Sequence, residues 1–223
     1  MGNVIGETLP LAIGIAISPI PVIAAILMLL SPKAKATSAG FLLGWIVGIA
    51  VAVTVFTLLS SVIPDGGSGS SKPIHGIIQI LLGAGLLLLA LRQWRSRPKL
   101  GEEATLPKWM SAIDTLNAGK GFGLGFLLAA VNPKNLLLGA GAGVTIGNAG
   151  LSVESVVVVI IVFTVIAAAS VALPVIAYLV AAKRMEGPLE SLRKWLVHNN
   201  ATVMAVLLLV FGFVLIGKGI GSF

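Results

Sequence analysis

The sequence predicts an all-α polytopic membrane protein. Six transmembrane helices form two inverted three-helix repeats, with helices one and four broken near their centres. Three observations predict it. The 223 residues are 57% hydrophobic and only 10% charged, with a mean hydropathy of +1.06, more apolar surface than a soluble domain of this size hides. Six apolar runs long enough to cross a bilayer are separated by loops whose basic content alternates. The first and fourth runs are interrupted at matched depth by proline and polar residues, the pattern of paired broken helices in the two halves of a transporter.

The first run, Leu9–Leu30, has Ser18-Pro19-Ile20-Pro21 at its midpoint. Two prolines within three residues remove two amide donors, so no unbroken helix passes through. Met1 to Glu7 carries no basic stretch and no small-residue cleavage site, so this run is read as retained and not as a signal peptide. Run two, Ala39–Ser61, presents Gly40, Gly44 and Gly48 as a ridge for close helix packing. Asp65 to Ser71 is a Gly/Ser-rich external loop of the flexible type. Run three is Ile74–Trp94. Run four, Gly121–Ile146, is broken by Asn132-Pro133-Lys134-Asn135 and carries a second glycine ridge at Gly139, Gly143 and Gly147. Run five, Val153–Val180, contains Pro174, where a tilt or kink is expected. Run six is Ala201–Gly217. Pro107–Leu116 and Pro188–Val197 place apolar residues at helical spacing and read as short helices lying in the membrane interface.

The domain organisation follows: residues 1–94 form the first three-helix repeat, 95–120 a linker with an interfacial helix, and 121–223 the second repeat. Because three is odd, the second repeat enters the membrane from the opposite side. Loops after runs one, three and five hold Lys33, Lys35, Arg92, Arg95, Arg97, Lys99, Lys108, Lys120, Lys183, Arg184, Arg193 and Lys194. That is twelve of the 15 basic residues, against only Lys72 and Lys218 on the other side. The positive-inside bias then places both termini outside the cytoplasm. Trp94, Trp109 and Trp195 fall on the basic side as interfacial anchors. The net charge of +7 is accounted for by orientation and anionic lipid headgroups, so no nucleic-acid partner is expected.

Lys134 is the one charge deep inside an apolar run. It lies 13 residues from Gly121 and 12 from Ile146, roughly 18–20 Å of helix from either end, too far to snorkel. Even the lower figures put a central lysine at about 2.5–3.5 kcal/mol, so it marks a functional site by default. Ser18, Pro19, Pro21, Asn132, Pro133, Lys134 and Asn135 are therefore the candidate substrate-binding residues. The two breaks are expected to face each other across a shared cavity. A cation with amide donors at Asn132 and Asn135, supplemented by half-helix N-termini, suits a phosphate, sulfate or carboxylate group. The plainer alternative makes Lys134 a cap for the carbonyls that Pro133 frees.

Several functions are disfavoured. With no cysteine, thiolate metal sites and thiol redox chemistry are excluded. No Asp or Glu lies within a membrane core, so hard cations lack their oxygen ligands; no metal and no cofactor is expected. No serine, histidine and carboxylate cluster appears along the sequence, and His75 and His198 both sit at run ends, so an enzyme is unsupported. What remains is a carrier or flippase for a small or amphipathic anion, or a scaffold within a larger export machine.

Four motifs carry a resemblance. Ile17-Ser-Pro-Ile-Pro-Val-Ile23, Gly40-Phe-Leu-Leu-Gly-Trp45, Pro107-Lys-Trp-Met with Asp114, and Ala129-Ala-Val-Asn-Pro-Lys-Asn-Leu-Leu-Leu138 resemble the GAP family of glycopeptidolipid- and sulfolipid-addressing proteins, within the LysE transporter superfamily. The resemblance covers nearly the whole chain. It implies six helices in a 3+3 arrangement and a multi-pass plasma-membrane protein that helps deliver envelope (glyco)lipids to the surface beside a larger lipid exporter. The wider superfamily implies, as the alternative, export of amino acids or other small solutes. Expected partners are membrane lipids and an anionic or lipid substrate, with a homo-oligomer allowed for.

Overall fold

Prolines and polar residues divide the apolar runs into helices. The computed structural model describes residues 1–62, 73–97, 110, 113 and 115–223. Among them are eight helices and no strand: α1 (Gly2–Ala16), α2 (Pro19–Leu29), α3 (Ala34–Ser61), α4 (Pro73–Arg95), α5 (Ala118–Ala130), α6 (Pro133–Gly147), α7 (Val153–Ala182) and α8 (Arg184–Ile220). Four are long and apolar enough to cross a membrane alone. The pairs α1–α2 and α5–α6, bent by 52° and 62°, bring the number to six if each is one span. The Asp65–Ser71 loop lies outside the described residues.

Pro19 opens α2 and Pro133 opens α6, the first helical position, where a missing N–H costs nothing and φ is already helical. Each proline therefore ends one helix and starts the next. The two half-helices that follow are the most enclosed elements: Val22 to Ile26 of α2 and Leu138 to Ile146 of α6 are buried. The remaining spans wrap around them.

Close packing around α3 depends on glycine. A Cβ on Gly40 would strike the Ala118 carbonyl, and one on Gly44 the Phe122 carbonyl; a Cβ on Gly125 would strike the Phe41 carbonyl in return. Further along, Cβ atoms on Gly143 and Gly147 would lie 2.5 Å from Phe56 Cβ and 2.6 Å from the Thr57 carbonyl. Gly139 of the same ridge has only the Ala52 methyl, 4.0 Å away, so its lack of a side chain is not needed for contact. These contacts advance together along both chains, so α3 runs parallel to the bent span α5–α6. By contrast α1 and α6 are antiparallel: Gly14 faces Leu138, and Leu11 faces Gly141.

Two elements differ from expectation. Pro188–Val197 is no separate interfacial helix but the first part of α8, whose 37 residues make about 55 Å of helix. Nothing between Val197 and Ala201 breaks the helix; the Asn199 side-chain Nδ2 donates back to the Trp195 carbonyl at 2.9 Å, and Pro188, the fifth residue of α8, removes one ladder bond near its start. The residues around Pro174 keep helical torsions. The break comes at Ala181, with φ −141° and ψ 52°, where the chain turns from α7 into α8. Of the other expected interfacial helix, Met110 and Ile113 are buried in the main core with Leu116 packed against it; Pro107 to Trp109 lie outside the described residues.

Candidate functional site: where the broken spans meet

The site forms where the C-terminal end of α1 meets the N-terminal end of α6. At the first break, Ser18 N–H turns back to the Ala16 carbonyl at 2.8 Å. In a regular helix that amide would serve Gly14, and the residue at 21 would serve Ile17. Gly14 thus loses its usual donor to the turn, and Ile17 loses its own because Pro21 has no N–H. Lys134 supplies both. Its Nζ donates to the Gly14 carbonyl at 2.7 Å and to the Ile17 carbonyl at 3.3 Å. The Ala16 carbonyl also accepts from the Ser170 hydroxyl of α7.

The second break is repaired by the next residue. Asn135 Nδ2 donates to the Leu128 carbonyl at 2.9 Å, which the turn at Asn132 leaves without its regular donor. Asn135 Oδ1 accepts from the Ser18 hydroxyl at 3.4 Å, tying one break to the other. Asn132 caps α6, its Oδ1 accepting from Lys134 N–H at 3.1 Å.

Burial separates these residues into two groups. Ser18, Lys134 and Asn135 are 3%, 3% and 1% exposed, and Pro19 and Pro21 are buried with them. Asn132 is half-buried, while Pro133 is exposed beside Val131. So Ser18, Lys134 and Asn135 are buried together where the two breaks meet, Pro19 and Pro21 are buried at the start of α2, and Asn132 and Pro133 lie nearer the surface. The Ser18 and Asn135 side chains meet directly, while the Lys134 ammonium reaches the backbone carbonyls of Gly14 and Ile17 on the Ser18 side of the break. The carbonyls that Lys134 caps are not those freed by Pro133, as the plainer alternative had it, but those of the opposite break.

Electrostatically, the ammonium sits in the first turn of α6, against that helix's own positive end, and is held instead by the negative carbonyl end of α1. The N-terminus of α2 opens beside it. A cation between two helix N-termini can hold an anion, provided the anion displaces the carbonyls of Gly14 and Ile17. Gly14, Ile17 and Leu128, through their carbonyls, and Ser170 are the contributors that sequence reasoning missed. Only Ser170, one of two mid-helix hydroxyls in the apolar stretch of α7 with Thr164, carried a signal, and serine or threonine there is common enough to pass as neutral.

Geometry and composition together define a polytopic α-helical membrane protein with two bent, proline-broken spans crossing at a buried polar centre. Within that class, the chain belongs to the family described as SfLAP, Sap, sulfolipid-1-addressing protein, which it matches over residues 8–221. No curated protein and no solved structure matches the chain.

Proposed function

We propose that this chain is a transporter or flippase-like component in the export of anionic or amphipathic lipids, acting at the plasma membrane with both termini extracytoplasmic. The observation that carries the reading is the buried Lys134 at the junction of two broken spans. A charge so placed is costly unless it is used, and broken spans meeting at depth are where transporters build substrate sites. The antiparallel run of α1 against α6 supports reading the chain as two inverted repeats, within which α2 and α6 correspond. The family description, which names sulfolipid addressing, supports a lipid as the substrate. A larger lipid exporter as partner, and the absence of any enzymatic step, belong to the same reading.

In this mechanism, an anionic headgroup takes the place of the Gly14 and Ile17 carbonyls on Lys134. Freed from its lock, the α1–α2 bend changes, and one repeat rocks against the other. The test is transport of a fluorescent anionic lipid by purified protein in liposomes. Movement by wild type and none by a folded Lys134→Gln variant is the expected result. Full transport by that variant overturns the anion site.

A second reading has its own observation. Both side-chain contacts of Lys134 are with backbone carbonyls, which fits a fixed structural lock in a non-transporting scaffold. Protein that is inert alone but required by an export complex would favour it.

A further inference from the structure

A groove of about 480 Å³ lies between α4 and α8 on the outer surface of the bundle, lined by Leu87, Leu91, Trp94, Val206, Leu209 and Phe213 among others. It is apolar along its length, and Leu91, Val206, Leu209 and Phe213 are 48%, 50%, 49% and 60% exposed. Beneath it the two helices nearly touch. A Cβ on Gly83 would come 2.7 Å from the Gly212 carbonyl, and one on Gly212 3.1 Å from the Gly83 carbonyl. The bare backbones bring the axes together, and the larger side chains that follow splay apart to leave the channel.

The end of the groove towards the basic loops is different. Arg97 lies over the Trp94 ring, 3.8 Å from its centroid, within cation–π range. Leu87, Ala90, Leu91 and Trp94 form the α4 side of the groove, and the exposed Arg95, next to Trp94 and one turn after Leu91, stands on the flank of that face at the same end. Neither arginine has a carboxylate partner among the described residues. Two cations therefore stand at one end of an apolar channel, with an aromatic ring between them and the hydrocarbon side.

We propose that this groove is a binding site for one anionic phospholipid of the leaflet on the basic side. Its acyl chain lies along α4 and α8, and its phosphate rests on Arg95 and Arg97. The dimensions agree. Leu87 to Trp94 spans about 10 Å of helix, most of a leaflet's share of a hydrocarbon core about 30 Å thick. Tryptophan and arginine then fall at headgroup level, where such side chains anchor. Charge decides between occupants. A second copy of this chain would bring the same two cations to its own groove, whereas an anionic lipid neutralises them. The site is separate from the Lys134 centre and does not depend on the transport reading.

The test is native mass spectrometry of the full chain purified with equal phosphatidylglycerol and phosphatidylcholine of matched acyl chains. Wild type should retain one phosphatidylglycerol in preference. Each basic residue near a membrane surface contributes roughly a fivefold preference for anionic lipid, so Arg95→Gln with Arg97→Gln should lower the preference about 30-fold. Lys35→Gln, an exposed charge removed from a helix that does not border the groove, should leave it unchanged. Leu209→Trp, which fills the channel at an exposed position, should reduce retention of both lipids. Equal retention of the two lipids by wild type overturns the proposal. So does an undiminished preference in the double arginine variant, or an equal loss in Lys35→Gln. Disulfide-linked dimers of Leu91→Cys in membranes would show a second copy in the groove instead.

Discussion

Replacing Lys134 by methionine keeps an unbranched stem and deletes the ammonium. Two hydrogen bonds from a charged donor are lost, at 2.7 and 3.3 Å to the Gly14 and Ile17 carbonyls. Bonds of this type contribute about 1.5–3 kcal/mol each, and the carbonyls are left in a dry interior without a donor. Against that loss, the desolvation cost of a central lysine, about 2.5–3.5 kcal/mol, is recovered. The longer bond belongs at the weak end of its range, so the net is a destabilisation of about 1–2 kcal/mol. For a chain of this size that corresponds to a fall in Tm of roughly 2–8 °C. Lys134→Gln, whose neutral amide can reach one carbonyl, should recover part of it. The assay is thermal unfolding in nanodiscs of one lipid composition, paired with liposome transport per folded molecule. A Lys134→Met protein as stable as wild type would refute the claim that the ammonium locks the α1–α2 break. Full transport by the same folded protein would refute its role in anion recognition. The two readouts are independent, so each idea stands or falls on its own.

Gly44→Ala should destabilise the bundle by about 1–3 kcal/mol, because its Cβ would land on the Phe122 carbonyl and backbone cannot step aside. Gly123→Ala, with nothing within 4 Å, should be neutral or stabilising by up to about 1 kcal/mol through helix propensity; paired melting curves distinguish them. Asn135→Leu strands the Leu128 carbonyl and should lower stability by about 1–3 kcal/mol, whereas Ser18→Ala gives up only a 3.4 Å contact and should change the melting temperature little. For topology, cysteines at Phe223 and Lys35 should react with an impermeant reagent from opposite faces, Phe223→Cys in intact cells; labelling of Lys35→Cys there instead would reverse the orientation argued from the basic loops.

The sequence by itself determined the membrane class, the places where the chain must break, and which residue is anomalous. Each is a one-dimensional property. Hydropathy accumulates along a run, a proline lacks its N–H wherever the chain goes, and a lysine at mid-run is far from both ends. Pro19 and Pro133 therefore open helices in the structure where they were expected to. What the lysine does is not of that kind. Its partners, Gly14 and Ile17, lie 120 and 117 residues away in the chain and contribute only backbone carbonyls, which no residue identity advertises. The α1 helix turning back at Ser18 is what frees the Gly14 carbonyl, and the antiparallel packing of α1 on α6 is what carries Nζ to it. Tertiary structure likewise decided that Pro188–Val197 continues into α8, since cooperative helix propagation extends through residues that no breaker interrupts. It moved the bend of the fifth span from Pro174 to Ala181 and placed Arg97 over Trp94 at the end of an apolar groove. For Lys134 it is contacts more than a hundred residues away that decide its role, and these a local reading of the chain does not contain.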